Sequence, residues 1–503
     1  MKEKLTETLN GEDRPRRRRT ALLLLGAALV AVVYFLGVPE NPPGFFVDES
    51  SIAYNAHTIA RDGTDEHGES WPLYFRAFGE YKSPLYIYLL AALYKLTGAS
   101  IASARALSAL AGILTAYLLG ALALRMTGRT LAGMVVGVAA SLTPWLFETS
   151  RLVFEVALLP TVLALFLLLL YEASRREEWS WSRAASLGVV LALITYTYSA
   201  GRLLAPLYAL GLALFITRRR WRGVVRTWLV YAATLLPLFV FSTRHPGALG
   251  ARFADVTFIK PTDTATDIAL GFVKNFLGNF NPWSWLVAGD PEPRHHLPVM
   301  GSMLAATALL GVAGLVLVLV RHRREAWWRF VVYGLAVSAI PSSLTLDHFH
   351  SLRLVAVPVF FLVLVAPAVA WLVENHRHER VRRHVLAATL FLLVLQGAIF
   401  QWRFHRAASE RWHNFDTFYP EVFAAATRLP NRPIYILDAH AAPGYMHAYW
   451  YGTLGGMDVS REFVRLPKDA TTPPGSLVIS TEMPCTNCQM ILHRGSFRTY
   501  IAR

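Results

Sequence analysis

Leu152–Tyr171, LVFEVALLPTVLALFLLLLY, decides the class of fold, because its apolar run is broken only by Glu155 and Pro160. An apolar segment of about 18 residues or more can cross a hydrocarbon core of about 30 Å as a helix. Working outward, Ala21–Val38, Met303–Val320 and Leu354–Leu372 repeat the pattern. Hydrophobic residues make up 54% of the 503 and charged residues 17%, with a mean hydropathy of +0.37. A soluble domain carries about 25% charged residues. The chain reads as a polytopic α-helical membrane protein.

Apolar length predicts about eleven spans, near 20–38, 101–124, 130–147, 152–173, 184–199, 203–217, 227–242, 298–320, 327–344, 352–373 and 384–400. The first block follows Arg16–Arg19 and ends in YFLGVPE at residues 34–40. A cleavable signal needs a short apolar run and a small-residue exit; neither is present, so a retained helix is expected. Pro84–Gly98 is weaker: at about 1.5 Å per residue it covers about 22 Å, short of a crossing.

Charge orients the spans. With residues 1–19 cytoplasmic and 84–98 not crossing, the cytoplasmic connections hold Arg125/Arg129, Arg175/Arg176/Arg183, Arg218–Arg220/Arg222/Arg226, Arg321/Arg323/Arg324/Arg329 and Arg377/Arg380/Arg382/Arg383. The short outer connections hold only Arg151, Arg202 and Arg353. That is the positive-inside pattern, and it accounts for the net charge of +15 without nucleic acid. The expectation is a multi-pass plasma-membrane protein with a domain at 20–400. Three outer pieces follow: 39–100, 243–297 and a small α/β region at 401–503, where Pro433–Leu437 reads as a strand before Asp438, Ala439 and His440. Cys485 and Cys488 form a lone C-x-x-C with no second pair, which favours a structural or incidental role over a redox one.

The first outer piece carries the chemistry. Phe45-Phe46-Val47-Asp48-Glu49-Ser50 precedes a predicted short helix with Ile52, Ala56, Ile59 and Ala60 on one face and Asn55, His57, Arg61 and Asp62 on the other. Asp48 reads either as an N-cap or as a catalytic carboxylate at the membrane surface. In Gly79-Glu80-Tyr81-Lys82-Ser83-Pro84-Leu85-Tyr86, Pro84 suits the first turn of a helix and fixes Lys82 just before it. Lys82 can hold a lipid phosphate or merely snorkel. Arg202, His350 and Arg353 are further candidates for the same anion. Glu155 either serves the substrate or pairs with Arg151, one turn back. Glu66, His67 and Glu69 could take a divalent ion, but a solvated acidic loop fits them better.

Asp48-Glu49 after the first helix, Tyr81–Leu85, the Ser150-Arg151…Glu155 segment and Tyr196–Arg202 (YTYSAGR) together resemble glycosyltransferase family 39 of the GT-C superfamily. Protein O-mannosyltransferases and the aminoarabinose transferase of lipid A modification belong to it. The resemblance covers roughly 20–400 and is strongest over 45–205. It implies that Asp48 is the catalytic aspartate, Glu49 its acidic neighbour and Lys82 the phosphate-contacting lysine. Here Lys-Ser-Pro stands where many relatives have Lys-Pro-Pro or His-Pro-Pro; the lysine is kept, while subfamily and acceptor stay open.

The implied partners are a polyprenyl-phosphate sugar donor, membrane lipids and an acceptor protein or glycolipid. A phosphate-linked sugar already carries its leaving group, so one base suffices where glycoside hydrolysis needs two carboxylates, and no metal is required. Attack opposite the phosphate predicts inversion. The rival readings are a transporter or flippase, which favours internal repeats and midplane charges not evident here, and a non-enzymatic subunit of a cell-envelope complex.

Overall fold

Helices form where the apolar blocks lie; Pro144 and Pro341 begin new helices within two of them, whereas Pro206 and Pro367 are carried inside continuous helices. The computed structural model describes residues 26, 28–374, 379–438, 443–481 and 487–503. The basic segment 1–19, the start of the first expected span, Ala439, His440 and Cys485 lie outside the described residues; Cys488 is disulfide-bonded. The first half of the chain comprises α1 (residues 28–35), α2 (Val47–Asp62), β1 (Phe75–Ala77), β2 (Glu80–Lys82), α3 (Pro84–Thr97), α4 (Ile101–Thr127), α5 (Thr130–Leu142), α6 (Pro144–Thr149), α7 (Leu159–Ser174), α8 (Trp181–Thr197), α9 (Gly201–Gly211), α10 (Trp221–Thr234) and α11 (Leu236–Arg244). It continues with α12 (Ala251–Val256), α13 (Ala265–Gly278), α14 (Ala305–Leu317), α15 (Ala326–Val337), α16 (Ile340–Ser343), α17 (Ala356–Val373) and α18 (Glu379–Arg406).

Among the described residues six helical runs are long and apolar enough to cross a membrane: Ile101–Thr127, Glu155–Ser174, Trp221–Arg244, Ala305–His322, Ala356–Val373 and Glu379–Arg406. The other expected spans that lie wholly among the described residues are shorter helices. Pro144 restarts the chain as α6 after Leu142, and Pro341 sits in the first turn of α16, so the predicted spans 130–147 and 327–344 are each divided. α3 has 14 residues, as its apolar length implied.

α17 lies at the centre, with Phe360, Leu362, Leu364 and Ala366 fully buried; a helix apolar on all sides belongs inside a bundle. α4 and α5 approach closely because Gly120 and Gly133 face each other, and a Cβ on Gly120 would lie 2.9 Å from the Gly133 carbonyl oxygen. The 27 residues of α4 make it about 40 Å long. Arg105 stands near its start, whereas Arg125 near its end meets Glu172 at 2.5 Å. Around that far end Arg220 Nε donates to Arg176 O at 2.7 Å, and Arg129, Arg175, Arg220 and Arg321 line one cavity. The basic connections therefore cluster at one end of the bundle.

Residues 419–503 form α19 (Tyr419–Thr427), β3 (Ile434–Asp438), α20 (Tyr445–Leu454), α21 (Val459–Glu462), β4 (Phe463–Pro467), β5 (Leu477–Thr481), β6 (Cys488–Arg494) and β7 (Phe497–Ala502), with strand order β4-β3-β5-β7-β6. The strands β4, β3 and β5 are parallel, and β7 joins β5 and β6 antiparallel. The expected strand at Pro433–Leu437 is β3.

This region is docked on α2. Phe45 stacks on Trp450 at 5.7 Å, and Tyr445 Oη donates to Glu66 Oε1 at 2.9 Å. The docking corrects the expected wet face of α2 at Asn55, while Arg61 and Asp62 stay exposed as expected. Asn55 is buried and donates to Ser51 O and Glu66 Oε2, both at 2.9 Å.

With Cys485 and Cys488 replaced, single cysteines at Ser70 and Ser476 should both react with an impermeant maleimide added outside cells. Labelling of either site only from the cytoplasm would reject the sidedness read from the arginines.

Candidate active site

The site begins at Phe46, whose extended backbone (φ −66°, ψ 155°) starts α2. Glu49 Oε2 accepts the Phe46 N–H at 2.9 Å, so Glu49, and not Asp48, satisfies the open end of the helix. Glu49 is wholly buried. Arg105 grips it at 3.2 Å (Nε to Oε1) and 3.0 Å (Nη2 to Oε2), and Val153 N–H donates to Oε1 at 3.0 Å. Four donors thus occupy the about four acceptor positions of a carboxylate. This corrects the catalytic expectation for Glu49, because no lone pair is left for a substrate; it positions α2.

With Glu49 so held, the adjacent Asp48 faces the β1–β2 hairpin. That hairpin turns through Phe78 (φ 54°) and Gly79 (φ 82°). Two positive φ values in a two-residue loop make a type I′ turn, which is costly for phenylalanine. The strain places the Phe78 ring 5.4 Å from Lys82 Nζ. Lys82, 6% exposed, donates to Asp48 Oδ1 at 2.6 Å. Pro84 occupies the first turn of α3 as expected. Ser83 N–H donates to Glu155 Oε1, so Glu155 anchors the Lys82 backbone.

Burial raises the Asp48 carboxyl, but the charge and hydrogen bond of Lys82, with the charges of Arg294 and Arg252, hold it below the usual carboxylate range. Burial lowers the Lys82 ammonium, and Asp48, Glu155 and Glu80 more than reverse this, holding it above the usual lysine range. The stabilisation from Asp48 is in place above the ordinary carboxylate range and is lost as pH falls through its depressed value. That from Lys82 is in place below the ordinary lysine range and is lost as pH rises through its elevated value. The pair is therefore fully ionised across neutral pH.

The other expected residues divide. Arg202, at the start of α9, lies 5.7 Å from the Tyr74 ring with Nη1 buried and unbonded. Arg353 is already committed, donating to Thr345 Oγ1 at 3.0 Å and Asp347 Oδ2 at 2.6 Å. His350 packs ring to ring with His295 at 4.8 Å. Burial, with His295 and Arg353 beside it, pushes it down to about 3. It is neutral at pH 7 and brings no charge to an anion.

Arg151 does not pair with Glu155. Its guanidinium gathers the carbonyls of Tyr34 (2.7 Å), Leu36 (3.0 Å), Gly37 (2.9 Å) and Asn41 (2.8 Å), closing the end of α1. Glu66 accepts from Asn55 and Tyr445 at 2.9 Å each and lies 3.2 Å from His67 Nε2. Among the described residues, ligands at metal spacing occur at Asp290, His295 and His350.

Sequence reasoning missed Arg105, Arg252 and Arg294. Arg105 carries a signal, being a lone charge inside an apolar block. Arg252 and Arg294 sit in the long connection 243–297, and nothing in their spacing points to Asp48.

A family model described as dolichyl-phosphate-mannose-protein mannosyltransferase matches residues 81–245, a span that includes Lys82, Glu155 and Arg202. The fold is similar to that of ArnT from Cupriavidus metallidurans. The form bound to undecaprenyl phosphate aligns with a TM-score of 0.60 and 14% identity over 96% of this chain and 98% of that one. The apo form gives 0.58 and 15% over the same shares. No curated protein matches by sequence. The likeness to ArnT is one of fold, and the family model matches about a third of the chain.

Glu49→Gln leaves the Arg105 charge buried without its counter-ion and should destabilise the protein by about 3–5 kcal/mol. Thermal unfolding of the purified variant measures this; a loss below about 1 kcal/mol would remove Glu49 as the positioning group.

Proposed function

We propose that this protein is a membrane glycosyltransferase of the GT-C superfamily, of the family 39 kind that its motifs resemble, and that it moves a sugar from a polyprenyl-phosphate-linked donor to an acceptor hydroxyl on the extracytoplasmic side of the membrane, with inversion. The observation that carries the reading is the 2.6 Å contact between Lys82 Nζ and Asp48 Oδ1. A buried lysine and carboxylate together supply an anion-binding cation and a proton acceptor at one point. Lys82 exchanges Asp48 for the phosphate of the donor, aided by the free Nη1 of Arg202 and the charges of Arg252 and Arg294. Loss of the lysine restores basicity to Asp48 when the donor is in place. The acceptor oxygen then bonds the anomeric carbon, the bond from that carbon to the phosphate oxygen breaks, and the hydroxyl proton passes to Asp48. Polyprenyl phosphate departs.

The bound undecaprenyl phosphate of the similarly folded ArnT supports a lipid phosphate as the ligand class. The clustering of arginines at the far end of α4 supports an outer location for Asp48.

Asp48→Asn keeps the size of the side chain and should reduce transfer by about 10²–10⁴-fold, the usual contribution of a positioned base. Transfer from a labelled polyprenyl-phosphate sugar is read beside thermal stability. Undiminished transfer by a folded variant would favour the transporter or subunit readings. Lys82→Ala should impair use of the donor more than Lys82→Arg, which keeps the charge; equal donor dependence in wild type and Lys82→Ala would leave the lysine a bystander.

A further inference from the structure

The segment 289–304 and the turn 347–353 meet beside the Asp48 site at three side chains that the proposed transfer leaves unused. Asp290 is 5% exposed, and its Oδ2 lies 3.6 Å from His295 Nδ1. The His295 side chain is 10% exposed, and the His295 and His350 rings are 4.8 Å apart. Nδ1 of His295 and Nδ1 of His350 are both buried without a hydrogen bond. One ligand atom from each of the three residues lies within 4.8 Å of the other two. Two imidazole nitrogens without partners and a carboxylate, gathered so closely, are a donor set in search of an acceptor of electron pairs.

The surroundings hold these groups in place. Ser351 N–H and Oγ donate to Asp290 Oδ2 at 2.6 and 2.7 Å, and Glu292 N–H donates to Oδ1 at 2.9 Å. Three of the about four acceptor positions are filled, which orients the carboxylate and leaves one lone pair. α6 anchors both backbone segments. Trp145 Nε1 donates to Ser351 O at 2.9 Å, while Glu148, one turn on, accepts Leu297 N–H at 2.6 Å and meets His296 Nδ1 at 2.7 Å. Ligands fixed through their neighbours are what a metal site needs.

We propose that Asp290, His295 and His350 bind one divalent transition-metal cation of the zinc class through a carboxylate oxygen and two imidazole nitrogens. Nitrogen and oxygen donors of this kind suit zinc, and three protein ligands leave a fourth position for water or a substrate oxygen. The ion ties the second outer piece to the turn before α17. It also holds Arg294, whose guanidinium lies 4.1 Å from the Phe46 ring, against the start of α2.

The test uses tag-free full-length protein in detergent, stripped with a chelator, and it does not depend on sugar transfer. Zn²⁺ alone is titrated by calorimetry and Co²⁺ alone by visible absorption. Wild type should take up about one equivalent and become more stable to heat. His295→Gln and His350→Gln should each weaken binding by at least about 100-fold, more than the loss of a supporting group costs, and His67→Ala should not. Should a glutamine variant misfold, diethyl pyrocarbonate labelling of wild type decides: Zn²⁺ should protect His295 and His350 and leave His67 reactive. No uptake by wild type, uptake unaltered in both variants, or no protection would overturn the site and leave Asp290 and His295 as packed neighbours.

Discussion

Everything at the site hangs on one buried ion pair. Glu49 and Arg105 are 0% and 1% exposed, and such a pair is stable only if its remaining donors and acceptors are filled. They are filled here by main chain. Arg105 also donates to the carbonyls of Pro39 (3.2 Å), Pro42 (2.6 Å) and Gly44 (2.8 Å). The pair thus binds the connection after α1, the first turn of α2, the start of α4 and, through Val153, the approach to α7. Asp48 is aimed by its neighbour in the chain.

A second polar chain reaches the same helix from the other side. Ser50 Oγ lies 2.8 Å from His447 Nδ1, and His447 Nε2 lies 3.0 Å from Asp416 Oδ2, which also accepts Val47 N–H at 3.2 Å. The order of groups is that of a nucleophile triad, but Ser50 is fully buried, so no substrate reaches it. The arrangement couples residues 416–447 to the helix that bears Asp48. The C-terminal region is thereby a wall of the helical bundle around α2.

The bundle was largely legible in sequence, because helices crossing lipid must be long and apolar. The expected span 130–147 overruns the helix because Pro144 starts a new one, and apolar length alone does not register that break. The site was legible in part. Asp48, Lys82 and Glu155 stood out as polar groups beside apolar blocks, yet their convergence depends on a hairpin strained at Phe78, which no propensity favours. Glu49 was misread for a clear reason. Its partner Arg105 lay within a predicted span, and only packing reveals which of two adjacent carboxylates meets it. Arg151 shows the same blindness from the other direction, since carbonyl oxygens at a helix end leave no mark in a sequence.

The distances along the chain between these partners have a consequence for how the protein is made. Glu49 and Arg105 are 56 residues apart, Glu49 and Val153 are 104 apart, and Ser50 and His447 are 397 apart. At about 5–20 residues per second, Arg105 follows Glu49 out of the ribosome by roughly 3–11 s. A bare carboxylate cannot wait in hydrocarbon, so the segment 39–62 stays at the water surface until α4 is inserted, and its last contacts form only when His447 arrives. The helix that bears Asp48 is made before Arg105, Val153 and His447, the partners that close it in.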